Sequence, residues 1–432
     1  MKAKKLLLLV SLNLLFLTAM MAHADIPEVK SFEWRGAKVL FVENHTLPIV
    51  DVGVVLPAGS GFAKTPGLAY LTLQMVGLAT DAMTEEEVAS RFDALGAVFQ
   101  KDVDRDKAVF SMRVLKSHAP DALSHFGTVL TKPVFAEKAL AREKGRMIAE
   151  IQQNATLPAK IADRAFYARL YPDHPYGAPI LGEAATVQTL TAQEIQAFYR
   201  QHYCRNDAVI TFVGDVLERE LKGYVENIIK NLPDCKAPVM PSLLPNQKEQ
   251  AIIPFDATQS HIMIGLPVLT HQDPNYYALL VGNYILGGGG FSSRMLHEIR
   301  EKRGLAYHAS TRFLPLLQPG PFMVYLQTKR ESTKEALDVT HHVLANFLKE
   351  GPTMTELKAA KSNFKGGFYG QIDTNQKLLY YLNAIGFYHL PLDFLKKFPS
   401  KVDAVTAGEI QKAFADKIKL ENLTEVMVGG MP

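Results

Sequence analysis

Zinc-dependent hydrolysis leaves a plain mark on a sequence: two histidines one helical turn apart, with a glutamate beside them to activate water. None of the 13 histidines of this chain begins an H-x-x-E-H or H-E-x-x-H run. The carboxylates Glu143 and Glu150, in Arg142-Glu-Lys-Gly-Arg-Met-Ile-Ala-Glu150, share one face of an amphipathic helix by their spacing, where lone carboxylates make hydrogen bonds or ion pairs. Four glycines at 287–290 invite a phosphate-loop reading, but no Gly-Lys-Ser or Gly-Lys-Thr follows and no dinucleotide fingerprint fits. A flexible turn between two helices accounts for them. Arg294, Glu298, Arg300, Glu301, Lys302 and Arg303 form a dense charged run that ends near an aromatic, Tyr307. Cys204 and Cys235 lack zinc-ribbon spacing. In an oxidising compartment they pair and close a loop of about 30 residues; otherwise they are two buried thiols.

The elements that must carry these residues mix strand and helix. Ile49–Leu56 is β-branched and half alternating, Ala208–Val213 reads as a buried strand ended by Gly214-Asp215, and Ser260–Leu266 as another strand. Thr191 followed by Glu194 is a capping box that opens a helix to Arg200, and Asn275–Leu286 reads as a buried helix. Without strict β-α alternation the expected class is α+β, with helices against one face of a largely antiparallel sheet.

The chain also repeats itself. Val187–Phe198 matches Val402–Phe414 with one slip, so that Thr191, Glu194 and Ile195 fall on Thr406, Glu409 and Ile410 at an offset of 215. Val213-Gly214 falls on Val428-Gly429 at the same offset, and Pro133 and Glu137 resemble Pro352 and Glu356 at 219. So long a period marks a duplicated domain rather than a solenoid. The Pro-rich stretch from Leu232 to Pro245 separates the copies. The expected organisation is a signal peptide at 1–24, an N-terminal domain at 25–231, a linker at 232–250 and a C-terminal domain at 251–432.

The signal peptide follows from Lys2, Lys4 and Lys5, an apolar run from Leu6 to Met21, and Ala22-His23-Ala24 as a cleavage site. The run is short for a membrane span. Its removal takes away three lysines and no acids, which lowers the formal net charge from +3 to zero. No basic tract remains, so a nucleic-acid partner is not expected. The expected location is the bacterial envelope, most simply the periplasm.

Across essentially the whole mature chain, the layout resembles the pitrilysin/insulinase family of zinc peptidases, the inverzincins. In that family the first domain carries H-x-x-E-H within a phrase like G-L-A-H-x-x-E-H-M. Here Gly67-Leu-Ala-Tyr-Leu-Thr-Leu-Gln-Met75 places Tyr70 and Gln74 at the two His positions and Leu73 at the Glu. A neutral phenol and an amide oxygen are poor zinc ligands, and Leu73 can neither bind metal nor take a proton. Glu150, 76 residues after Gln74, matches the family's third ligand, and Glu143 a second acidic position. The second half departs less. Leu286–Tyr307 resembles the family's C-domain signature, and Arg300 and Tyr307 match the Arg and Tyr that reach across to the zinc site of the opposing lobe.

The resemblance therefore implies a metallopeptidase half-clamshell of two homologous domains. It implies no metal and no catalytic residues of its own. Arg300 and Tyr307 would bind peptide and stabilise an oxyanion in trans. Zinc would sit in a sister subunit bearing H-x-x-E-H, and the substrates would be peptides rather than folded proteins. An inert scaffold or peptide-binding protein of the same fold is the alternative, and an independent zinc peptidase the third reading.

Overall fold

A computed structural model describes residues 26–243 and 248–429. The expected signal segment lies outside them, and the linker is described only in part. The first half builds six strands: β1 (Lys30–Trp34), β2 (Ala37–Glu43), β3 (Ile49–Leu56), β4 (Val98–Val103), β5 (Ala108–Leu115) and β6 (Val209–Gly214), in the order β1-β2-β6-β3-β5-β4. The second half builds β7 (Gln250–Pro254), β8 (Gln259–Leu269), β9 (Ala306–Phe313), β10 (Gly320–Lys329) and β11 (Thr424–Gly429), in the order β7-β11-β8-β10-β9. Each sheet is antiparallel except where its last strand pairs in parallel with an early one, β6 with β2 and β11 with β7. The duplication is thus visible in topology: β6 and β11 stand at the offset of 215 read from Val213-Gly214. Among the described residues, the second sheet has no counterpart of β1.

The helices of the first half are α1 (Leu68–Met75), α2 (Glu85–Ala94), α3 (Ala119–Thr131), α4 (Glu137–Asn154), α5 (Pro158–Leu170), α6 (Ala184–Thr189), α7 (Ala192–His202) and α8 (Glu218–Ile229). Those of the second are α9 (Tyr276–Asn283), α10 (Thr333–Glu350), α11 (Met354–Gly367), α12 (Asn375–Phe387), α13 (Phe394–Ala404) and α14 (Ala407–Lys417), with wide helical turns over 284–288 and 297–301, the second entered by one α-helical turn at Arg294–Leu296. Capping boxes open α7 at Thr191 and α14 at Thr406, where each Thr accepts from a backbone N–H and each Glu reaches back. No described helix is long and apolar enough to cross a membrane.

Most helices of each half pack on one face of that half's sheet, giving the α+β architecture. On the first sheet Val39, Phe41, Val52, Val54, Ile210 and Phe212 face this layer. The alternate residues Leu40, Val42, Val55, Val209 and Val213 face the other way, and they meet Leu378, Leu379, Leu382 and Ile385 of α12. Gly53 and Gly386 make this approach possible: a Cβ on Gly53 would lie 2.7 Å from the Asn383 side chain, and one on Gly386 2.3 Å from Val209. At the same contact Thr211 donates to the Asn383 carbonyl at 2.6 Å. Reciprocally α5 crosses to the second sheet, where Phe166, Tyr167 and Leu170 pack with Met263, Val426 and Val428. The two halves exchange one helix each, so neither sheet has its core complete without the other half.

A buried carboxylate fastens the exchange. Asp106, fully buried in the β4–β5 turn, accepts from Leu317 N–H at 2.9 Å, from Tyr388 O–H at 2.9 Å and from Tyr176 O–H. Burial pushes its carboxyl up to about 6, against the pull of these donors. Cys204 and Cys235 form a disulfide, which ties the end of α7 to the start of the connection between the halves. The linker range carries no helix in its described part, and β7 begins at Gln250, inside it.

Candidate functional site

Two clusters, one in each half, hold the residues that the sequence singled out. The first gathers at α1. Gly67 enters the helix in the left-handed region at φ +91°, where a Cβ would meet Leu181 O at 2.9 Å. Leu68, Leu71, Leu73 and Met75 are buried in the core, so Leu73 serves packing. Tyr70 is half-buried and hydrogen-bonded to Gln74. Burial raises its phenol pKa, as do the charges of Glu150 and Glu143, while Arg146 and the Gln74 bond pull it down. The charges of Glu143 and Glu150 of α4 therefore act on Tyr70.

They arrive with cations. Glu143, only 4% exposed, accepts from Arg142 Nε and Arg146 Nη1, each at 3.1 Å. Arg142 also pairs with Glu85 at 2.9 Å. From β4, Lys101 extends its ammonium to Gln74 O at 2.6 Å and Val76 O at 3.0 Å, the carbonyls that close α1. Burial pulls this ammonium down to about 8, with Glu143 opposing the shift and Arg146 adding to it. Among the described residues, no group of three or more His, Cys, Asp or Glu side chains is placed to hold a metal ion.

The second cluster forms where the turn at 284–291, the helical segment 294–301 and β9 meet. Gly287 lets the turn touch β9, since a Cβ there would lie 2.5 Å from Thr311 N. The charged run 294–303 separates into two kinds. Arg294 pairs with Glu356, His297 with Glu301, and Lys302 and Arg303 with Glu298. Arg300 has no carboxylate partner among the described residues. Its guanidinium lies 5.1 Å from the Phe291 ring centroid and 4.8 Å from that of Tyr307. Tyr307 is 75% exposed and Phe291 69%. Two aromatic faces thus hold an uncompensated cation beside a phenol at the surface. The structure brings Arg300 and Tyr307 together, and adds Phe291, whose only signal was a large aromatic directly after four glycines.

A cleft of about 700 Å³ opens beside the first cluster, starting at Ile151 of α4 and running along α5 and the loop 177–183 to Ile253 of β7. Its walls are largely apolar, with Arg105, Lys160, Asp163 and Arg164 placed among them. Arg105 stacks 3.6 Å over Tyr167 and donates to Tyr176 O at 2.9 Å. Enclosure raises the Asp163 carboxyl, while Arg105 and Lys160 pull it back. The volume and mixed lining suit a short extended peptide. Nothing in the residue spacing marked this cleft, because its lining is drawn from positions as far apart as Pro66, Arg105, Lys160 and Ile253.

Residues 38–184 match the family model described as Insulinase (Peptidase family M16), and residues 189–364 the one described as Peptidase M16 inactive domain. The crystal structure of a peptidase M16 inactive domain from Pseudomonas fluorescens superposes with a TM-score of 0.90 at 32% identity, covering 94% of this chain and 98% of that one. A protease from Helicobacter pylori shares the fold with a TM-score of 0.86 at 17% identity, over 94% of this chain and all of that one, 100%. An uncharacterized zinc protease of Streptomyces coelicolor is 27% identical over 341 residues, 76% of this chain and 74% of that relative.

Proposed function

Because the chain belongs to the M16 family of insulinase-like zinc peptidases while Tyr70, Leu73 and Gln74 stand where that family's zinc motif would be, we propose that it is the non-catalytic half of an exported peptidase pair. A sister subunit bearing H-x-x-E-H supplies the zinc and the general base, which polarise the scissile carbonyl and activate water. This chain supplies Arg300, Tyr307 and part of the chamber wall, in the bacterial periplasm, with peptides as substrates.

The observation that carries the reading is Arg300. In a run where its charged neighbours are paired, it is left without a carboxylate among the described residues and lies against the rings of Phe291 and Tyr307. A half-buried cation kept free in this way suits a charge that arrives or develops later. As a peptide carbonyl becomes tetrahedral, its oxygen gains negative charge. The Tyr307 hydroxyl donates a hydrogen bond to it, and the guanidinium stabilises the charge. Phe291 restrains the guanidinium before that charge appears. The cleft beside α5 offers an apolar wall for the flanking peptide.

Zinc does not suit the donor set at α1. A neutral phenol, an alkyl chain and an amide oxygen replace two imidazoles and a carboxylate base. Lys101 and Arg146 bring positive charge to the same place.

Peptide cleavage measured on the mature chain, on a zinc-bearing sister chain and on their mixture tests the pairing. The expected result is an inert chain whose addition raises the sister's rate, by about 10-fold or more at saturation if positioning and electrostatics are both completed. A mixture no faster than the sister alone would favour an inert scaffold.

A further inference from the structure

We infer that Lys101 is an internal counter-cation of the degenerate motif, taking up with Arg146 the electrostatic place of a divalent metal. It follows that restoring the histidines and glutamate on α1 alone does not restore tight zinc binding.

Glu143 is almost wholly buried, and a buried carboxylate needs a cation or several donors. It has Arg142 and Arg146 on its own helix, and its charge opposes the fall of the Lys101 ammonium pKa on the facing strand. Glu150 acts on Tyr70 from two turns further along α4. Lys101 is held in place by Gln74 O and Val76 O, so its charge is fixed at the very turn of α1 that carries the motif positions. An ammonium there also meets the negative end of the helix. Converting Tyr70 and Gln74 to histidine would therefore build a metal site against a positive charge that cannot swing away without uncapping α1. This holds whether or not the chain pairs with a sister.

Zinc affinity of the full mature chain, measured by equilibrium dialysis, compares two variants. One carries Tyr70→His, Leu73→Glu and Gln74→His; the other adds Lys101→Met. Removing one fixed positive charge close to a dication should tighten binding on the order of 10- to 100-fold. Equal affinity in the two variants would overturn the inference. Urea unfolding in the natural background supplies a readout that needs no metal and no redesigned helix. Lys101→Met should lower the midpoint at least about twice as far with Glu143 present as in a Glu143→Gln chain, since coupled charges are non-additive. Equal shifts in both backgrounds would mean that Lys101 only caps α1.

Discussion

Tyr307→Phe in this chain is expected to lower kcat/KM of the mixed assembly by about 100-fold, although in the proposed pair Tyr307 belongs to the subunit without the zinc. Removing one preorganised oxyanion donor typically costs about 100- to 1,000-fold, and the substitution deletes only the hydroxyl. The ring, and with it the contact to the Arg300 guanidinium at 4.8 Å, remains. The loss should fall on kcat, because the bond strengthens as charge develops. Arg300→Ala removes the charge and should cost as much or more. Phe291→Ala leaves both groups in place and loses only the restraint on the guanidinium, so a drop of about 3-fold is expected from the ~0.5–1 kcal/mol of an exposed cation–π contact. Lys302→Ala, whose partner is Glu298 on the same segment, should be silent. Steady-state kinetics on a fluorogenic peptide rank the four. A silent Tyr307→Phe would remove the oxyanion role and leave a scaffold.

The second large effect concerns the fold. Asp106 is held near 6 by burial, well above the ordinary carboxylate range near 3.9. Between about pH 4 and pH 6 the folded chain keeps a proton that the unfolded chain has released. The contribution of this group is therefore fully present below about pH 4 and is lost as pH rises to 6. Relative to Asp106→Asn, which does not titrate, the natural chain should lose about 3 kcal/mol across this window, at roughly 1.4 kcal/mol for each tenfold difference in proton affinity between the folded and unfolded chain. Urea titrations of both proteins at about pH 3.5 and pH 7, on either side of the window, measure the difference. An unchanged difference would mean that the three donors from Tyr176, Tyr388 and Leu317 fully offset the burial.

Much of this architecture is legible in the residues. The half alternation of Ile49–Leu56 belongs to β3, and the capping boxes at Thr191 and Thr406 open equivalent helices. The helix read over Asn275–Leu286 is regular only to Asn283 and then widens, where Gly287 presses against β9. The exchange of α5 and α12 was not legible. Each is an ordinary amphipathic segment, and periodicity shows that an apolar face exists without showing which sheet covers it. The largely apolar run of β6, broken only by Thr211, carried the hint, since a strand buried on both faces needs a layer on each side.

The site divides in the same way. The phrase from Leu286 to Tyr307 pointed to Arg300 and Tyr307, and the fold sets them side by side. Charge density alone could not separate Arg300 from Arg294, because that distinction depends on Glu356, far along the chain. Lys101 was hidden for the same reason. A single lysine on an edge strand looks solvated until α1 and Glu143 are placed against it.

In the proposed pair one chain carries the metal and this chain does not. Metal analysis of the purified assembly, formed from the mature chain and a zinc-bearing sister and weighed to fix its composition, reads this directly. One zinc per two chains, with none in this chain purified alone, is the predicted result. Two zinc ions per pair, or stoichiometric zinc in this chain by itself, would contradict it and make Tyr70, Gln74 and Glu150 ligands after all.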